Sequence, residues 1–450
     1  MSTRKPLYGW LTSEAISLTG TRVSMLALPF FVYTTTGSAT RTGLVAVAEM
    51  LPLVLLKVLG GPLIDRLGAR RVSIGCDLGS LVAVGAIPAL HLLGLLTFPV
   101  FLALVAVAGA LRGPGDSAKQ SLVPVLVAHA DVPMERATGL YGTVERSASM
   151  LGWAFAGGLV AAVGPTNALL VDAATFGLSA AVLAWSTHGF GSGTRAEPAP
   201  ATDATAGSPG YLAQLHEGWT FLRSDRVLVA MTAMVALTNL IDLAFTSVLV
   251  PVWAVESGGG ATAIGLLFGV FSGAAALGSV VAAAWADRLP RYRTYLFAFL
   301  ICGLPRYAVL ALDAPLWAVL AVAVAGGFAS GFLNPVLGAV TFERIPAPLV
   351  GRVTSLTSAL CFALMPLGGL LGGGLTSAFG LTTAMLVCGG AYFLVTMLPA
   401  VDPRWREIDH RPVAASRPEA ADPSLFHDQD ASTRRPSTTD SREAATGRRA

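Results

Sequence analysis

Four ionisable side chains, Glu14, Arg22, Glu49 and Lys57, stand inside two stretches otherwise built of apolar and small residues. In lipid an ionised group persists only where it is paired, or where it handles ions or cargo. If the two stretches form an antiparallel helical hairpin, residues at equal depth share an index sum. Glu14 with Lys57 and Arg22 with Glu49 share the same one, so one register accommodates two opposite-charge pairs. Within each helix the charges are eight residues apart, about 80° around and ~12 Å along the axis. The same reasoning suggests a third pair, Arg112 with Glu145, next to Arg146. Asn239 and Asp242 lie in a later stretch, and Asp242 has no partner in its own hairpin. A lone buried acid could exchange protons; Arg306 is the alternative, as an ion-pair partner.

Two polar stripes share helical faces and could line an aqueous cavity: Glu14, Ser17, Thr21 and Ser24, and Thr232, Asn239, Asp242 and Thr246. Asp77 and Asp172 fall near the ends of their stretches, where a solvated or latching role fits better than coupling. For the first two pairs a purely structural role, locking one helix to another, stands beside the coupling role.

These groups are positioned by twelve apolar stretches, each near the ~20 residues that a helix needs to cross the hydrocarbon layer. They fall at 11–33, 43–64, 72–93, 100–120, 137–160, 168–185, 227–250, 263–285, 294–312, 316–340, 353–379 and 383–398. Without water the backbone must satisfy itself, so the stretches are expected to be helices. The chain is 13% charged, against about 25% for soluble domains. The expected class is an all-α membrane protein of twelve transmembrane helices in two six-helix bundles, at 1–185 and 227–400. Residues 186–226 form the linker. Its first part, 191–210, is rich in Ala, Pro, Gly, Ser and Thr and reads as flexible. Its second part carries Leu212, Leu215, Trp219 and Leu222 at the spacing of an amphipathic helix on the membrane surface. Residues 401–450 are polar and expected to be disordered. The first stretch is too long for a cleaved leader and reads as a retained anchor.

Basic residues cluster in alternate loops: Arg66, Arg70 and Arg71; Arg136; Arg195, Arg223 and Arg226; Arg288, Arg291 and Arg293; Arg344 and Arg352. The other side shows only Arg41. The positive-inside rule then places both termini in the cytoplasm of a plasma (inner) membrane protein. An internal repeat supports the two halves. At an offset of 216, Arg136, Gly152, Gly157, Gly158, Gly164 and Thr166 meet Arg352, Gly368, Gly373, Gly374, Gly380 and Thr382. At an offset of 222, Asp65-Arg66-Leu67 meets Asp287-Arg288-Leu289. An even number of helices separates the copies, so they have the same orientation, an arrangement that binds cargo near midplane.

Several classes find no support. Cys76, Cys302, Cys361 and Cys388 lie in apolar stretches without metal-ligand spacing, and the six histidines are scattered. Neither a metal nor another cofactor is expected. A net charge of +3 gives no argument for nucleic acid. There is no Gly-x-x-x-x-Gly-Lys-[Ser/Thr] loop, so ATP is not the expected direct energy source. No nucleophile–base constellation suggests an enzyme.

The segment Gly61-Pro62-Leu63-Ile64-Asp65-Arg66-Leu67-Gly68-Ala69-Arg70-Arg71 matches the pattern G-x-x-x-D-R-x-G-x-[RK]-[RK] at every fixed position. In this the chain resembles the major facilitator superfamily, over about 11–399. The resemblance implies the family's pseudo-symmetric fold and makes Gly61, Asp65, Arg66, Gly68, Arg70 and Arg71 a conformational latch. Gly61 would permit close helix approach, Gly68 would turn the chain, and Asp65 would face a helix N-terminus or an arginine. The second-half copy has Ala283 and Pro290 in place of its glycines. The stretches 112–124, 137–160 and 169–178 are similar to those of enterobactin exporters and macrolide-efflux proteins. Exporters of this kind often carry Gly-Pro in the fifth helix; here Trp153 follows Gly152.

The expected function is a monomeric, proton-coupled exporter of a small amphipathic molecule (drug, antibiotic or siderophore-like metabolite) working by alternating access. Its partners are that cargo, protons and the bilayer. The rivals are an uptake symporter and a membrane sensor or scaffold that lost transport. The intact signature loop and the intramembrane charges argue against the last.

Overall fold

The computed structural model describes residues 4–188, 211–285, 288, 290–346 and 349–409. The expected flexible linker 191–210, the second-half signature residues Asp287 and Leu289, and the tail from residue 410 lie outside them. Among the described residues, eleven helical stretches are long and apolar enough to cross a membrane. One of these, Met134–Ser186, turns at Gly164 (φ 81°, ψ 162°), just before Pro165, and supplies two spans. The total is therefore the expected twelve.

The first four spans are Lys5–Thr36, Ala39–Leu59, Ala69–Leu92 and Phe98–Ser121. Spans five and six are the two arms of Met134–Ser186. Span seven runs Arg226–Ala244, passes through the π turn Phe245–Leu249 and ends as Val250–Glu256. Span eight is Gly260–Trp285. Span nine is Arg291–Cys302 and Leu304–Ala311, interrupted at Gly303. Span ten is Leu316–Ser330 and Leu333–Arg344; span eleven is Val350–Ala363 and Leu367–Phe379; span twelve is Leu381–Met397.

Local chemistry sets the ends. Ser38 caps span two by accepting from the Arg41 N–H at 3.3 Å. Asp225 caps span seven by accepting from the N–H groups of Val227 and Leu228 at 2.9 and 3.1 Å. Each satisfies donors that a helix start leaves orphaned. Gly380, between spans eleven and twelve, takes φ 81° and ψ 165°, the conformation of Gly164. The repeat at 216 positions is thus preserved in the backbone torsions.

The halves meet through glycines. Gly43 of span two lies against Gly369 and Gly373 of span eleven, and a Cβ on it would collide with the Gly369 carbonyl. Gly265 of span eight, 222 positions after Gly43, lies against Gly157 of span five, where a Cβ would stand 2.7 Å from the Gly157 Cα. The contacts two–eleven and five–eight are pseudo-symmetry mates, and small residues permit the close backbone approach that packs helices in lipid. Around them Tyr33 donates to Glu256 at 2.9 Å, Thr40 and Ser377 bond at 2.6 Å, and Trp153 packs on Phe268 at 4.6 Å between centroids. All of this seals one end of the molecule. At the other, where span one starts and span twelve ends, each half keeps its own core. Leu7, Trp10, Leu126 and Leu183 form one cluster; Leu222, Leu228, Ile345 and Val353 form another.

Two elements of the linker and tail are seen at that open end. The helix Tyr211–Ser224 exists, and its second half docks on protein while Trp219 stays exposed. Leu222 is buried, and Glu217 pairs with Arg352. The side chains of Leu212 and Leu215 lie outside the described residues. The tail does not begin at residue 401: Pro403–Asp409 forms a short 3₁₀ turn. Trp405 and Ile408 are buried there, Trp405 lies 5.5 Å from Tyr295, and Asp409 accepts from the Tyr292 N–H at 2.9 Å. Two large apolar side chains with a place to go order a segment that composition alone assigns to solvent.

Candidate functional site

A cavity lies between the halves, lined by Met25 and Pro29 of span one, Glu49 and Met50 of span two, Trp153 of span five, and Leu243, Thr246 and Ser247 of span seven. The wall is mostly apolar and polarisable, with one carboxyl in it.

That carboxyl, Glu49, is bonded to Arg112 of span four at 2.7 Å, and both side chains are largely buried. The expected pairs Arg22–Glu49 and Arg112–Glu145 are therefore replaced by Glu49–Arg112. The cause is backbone packing. Gly109 and Gly113 bring span four onto span two, where a Cβ on Gly109 would collide with the Glu49 carbonyl. Arg112 lies on the same face and reaches Glu49 first. Glu145 is exposed. Arg22 instead donates to Ser149 at 2.8 Å and lies 5.8 Å from the Trp153 ring centre, with its Nε lacking a partner. Gly152 makes room for it: a Cβ there would stand 3.0 Å from the Arg22 Cγ.

The pair Glu14–Lys57 is also absent. Lys57 is exposed and Glu14 is buried. Near Glu14 lies a polar cluster that the sequence did not assemble. Lys119 of span four, 1% exposed, bonds Asp77 of span three at 3.1 Å. Ser179 of span six donates to Asp77 at 2.8 Å and bonds Ser13 of span one at 2.8 Å. Asp77 is thus neither solvated nor at a span end. The helix Ala69–Leu92 begins eight residues before it, about 12 Å along the axis. Asp172, also expected near solvent, is fully buried and accepts from Ser24. Ser17, Thr21 and Ser24 are buried as well, and Ser24 points to span six. The stripe on span one packs within the first half instead of lining water.

Span seven divides its stripe. Asn239 donates to the Cys361 carbonyl of span eleven at 3.0 Å. Thr232 donates to its own helix at 2.7 Å. Asp242 pairs with Arg306, which settles the alternatives left open for it. The Arg306 guanidinium lies between Phe245, Tyr307 and Tyr392, at 4.9, 5.0 and 4.8 Å from their ring centres. Aromatic faces attract a desolvated cation. Thr246 alone of this stripe lines the cavity.

The signature loop folds as the short helix Gly61–Leu67 followed by Gly68 at φ 84°, so Gly68 does turn the chain. A Cβ on Gly61 would meet open space; the close approach belongs to Gly60, beside Pro114. Asp65, Arg66 and Arg71 are exposed. Arg70 donates to Thr187 at 2.8 Å and to the Ala184 carbonyl at 3.0 Å. A cation there complements the C-terminal end of span six. Residues missed from the sequence are Lys119 and, as a buried group, Asp172; the pattern Gly109-x-x-x-Gly113 around Arg112 was the available signal for the span-four contact.

Known proteins resemble this chain in sequence and fold. The profile described as Major Facilitator Superfamily matches residues 11–258 and 232–436. A protein named multidrug efflux pump Tap from Mycobacterium tuberculosis (strain ATCC 25618 / H37Rv) is 30% identical over 422 residues, 92% of this chain and 97% of that one. Its namesake from Mycolicibacterium fortuitum is 29% identical over 90% and 98% of the two chains. Among solved structures, the nucleoside transporter NupG superposes with a TM-score of 0.71 at 11% identity, over 87% of this chain and 98% of that one. A bacterial homologue of the iron transporter ferroportin, in its inward-facing state, gives 0.66 at 16% identity over 91% and 100%. These two share the fold. The profile match and the Tap identity go further: the chain belongs to the major facilitator superfamily.

Proposed function

We propose that the chain exports small amphipathic molecules from the cytoplasm across the plasma membrane, coupled to proton entry through Glu49. The observation that carries this reading is the cavity. It is apolar, sealed at the glycine-packed end, and holds one ion-paired carboxyl in its wall. A dry wall with Met25, Met50 and Trp153 suits a flexible apolar ligand. Arginine-rich loops lie at the end where the halves separate, which by the positive-inside rule is the cytoplasmic one. The cavity then faces the cytoplasm in this state, as an exporter awaiting cargo requires. The relatives named multidrug efflux pumps support the direction. The chain acts as a transporter without catalysis of its own.

The test uses everted vesicles and a fluorescent amphipathic dye. Dye accumulation on energising with a proton gradient, collapsed by an uncoupler and lost in Glu49→Gln, is the expected result. Accumulation only in right-side-out vesicles would convert the reading to uptake. Accumulation indifferent to the uncoupler would remove the proton.

A further inference from the structure

The intramembrane cations differ in their company. Arg112 has Glu49, Lys119 has Asp77 and Arg306 has Asp242. Arg22 of span one has no carboxylate within ion-pair distance among the described residues. Its Nη2 donates to the Ser149 hydroxyl at 2.8 Å, its Nη1 reaches the Met25 thioether at 3.4 Å, and its Nε has no partner. A thioether is a weak acceptor. The acid bonded to span one, Asp172, is held by Ser24. Ser24 lies two residues from Arg22, about 200° around the helix, so the two side chains leave opposite faces. Glu145, one turn before Ser149 on span five, is exposed and forms no ion pair with Arg22.

This guanidinium belongs to the cavity wall. Arg22 is partly exposed, and two of the residues around it, Met25 and Trp153, line the cavity. Trp153 lies one turn after Ser149, so both face span one. Among the described residues, the charged groups at this wall are Glu49, Arg112 and Arg22: one anion and two cations. On span seven, Asp242 and Arg306 cancel. An arginine keeps its proton in proteins, so the wall carries one positive charge in excess. An ion taken out of water without its counter-ion is costly, and an anion that arrives with the cargo offsets that cost.

We propose that Arg22 is the subsite that takes an anionic oxygen group of the cargo (carboxylate, phenolate or enolate), and that the transported molecules are amphipaths carrying such a group. The apolar body lies on Met50, Leu243 and the Trp153 ring. The anion displaces the Met25 thioether, whose flexible side chain can move aside. It then accepts from the donors that Met25 holds only weakly and from the free Nε–H, while Ser149 keeps the guanidinium in place. Such charge-assisted bonds are about twice as strong as neutral ones. This deepens the transport reading above and rests on its cavity, but binding to the purified chain is read without a gradient.

The test is equilibrium binding to the purified full chain at near-neutral pH, with three probes on one ring system: naphthylacetate, its neutral amide and naphthylmethylammonium. The expected order of affinity is anion, amide, ammonium, with about tenfold between the first two, as a hydrogen bond to a charged group supplies. Arg22→Gln should bring the acetate down to the amide and leave the amide unchanged. Arg22→Lys, which keeps the charge, should retain the order. The order in the parent tests the proposal by itself should the glutamine variant not fold. Ammonium bound as tightly as acetate, a preference for acetate that survives in Arg22→Gln, or no saturable binding of acetate overturns the proposal. If the anion preference depends on Arg22 while dye accumulation ignores the uncoupler, the proton-coupled reading fails and the Arg22 assignment stands. If accumulation behaves as expected and the order is reversed, the Arg22 assignment fails and the transport reading stands.

Discussion

The two halves repeat each other in backbone and differ in charge. Gly164 and Gly380 turn identical corners, and Gly43–Gly369 mirrors Gly265–Gly157 across the seal. Yet the first half buries Glu14, Glu49, Asp77, Lys119 and Asp172. The second half holds Asp242–Arg306 inside the membrane and places other ion pairs at its open end: Arg291–Glu343, Arg344–Asp225, Arg344–Glu407 and Arg352–Glu217. Its intramembrane acid is also the more accessible, with the Asp242 side chain 37% exposed against 9% for Glu49. The glycine geometry of the seal is repeated in both halves, whereas the buried acids are concentrated in the first.

The sharpest break of that contrast is Arg112→Leu. It strands Glu49 in a dry wall, at a cost of about 3–5 kcal/mol. Thermal unfolding in detergent should show this loss together with loss of efflux, whereas Glu49→Gln should lose efflux and keep the fold. The pairing itself is checked by exchange. Glu49→Arg with Arg112→Glu should recover more flux than Glu49→Arg with Arg22→Glu, because Arg22 does not bond Glu49.

On the second-half side, Trp405→Ala should cost about 3 kcal/mol as a buried aromatic is truncated. A chain ending at Asp409 should unfold at the parent temperature, and one ending at Val401 well below it. The seal predicts symmetry: Gly43→Val and Gly265→Val should each destabilise by about 1–3 kcal/mol through overpacking. Both should increase labelling of a cysteine introduced at Thr40, and a response from only one would break the pseudo-symmetric account. The smallest effect is expected at Arg352→Ala, whose exposed pair with Glu217 contributes about 0–1 kcal/mol; unfolding should barely move.

The spans and the repeat were legible because hydrocarbon thickness and backbone satisfaction leave few alternatives. The Gly68 turn was legible because its conformation favours glycine. The ion pairs were misread because equal depth in a hairpin assumes that sequence neighbours are the packing neighbours. Span two packs intimately on span four, through Gly109 and Gly113, so Glu49 found Arg112. Asp77 and Asp172 were placed near solvent because the apolar stretches are shorter than the helices that contain them. Lys119, one residue before the polar Gln120, gave no sign that Trp10, Ser179 and Asp77 would enclose it.

The π turn Phe245–Leu249 sets an angular phase. A wide turn accommodates one residue more than regular helix, and one residue is about 100° of rotation. Everything beyond it on span seven is offset by that angle relative to Asn239 and Asp242. The offset lets one helix aim Asp242 at Arg306 within its own half while Val248 and Val252 meet Ala39 of the other. Removing Ser247 would restore regular winding and swing that apolar edge off span two, uncoupling the seal from the cavity it closes.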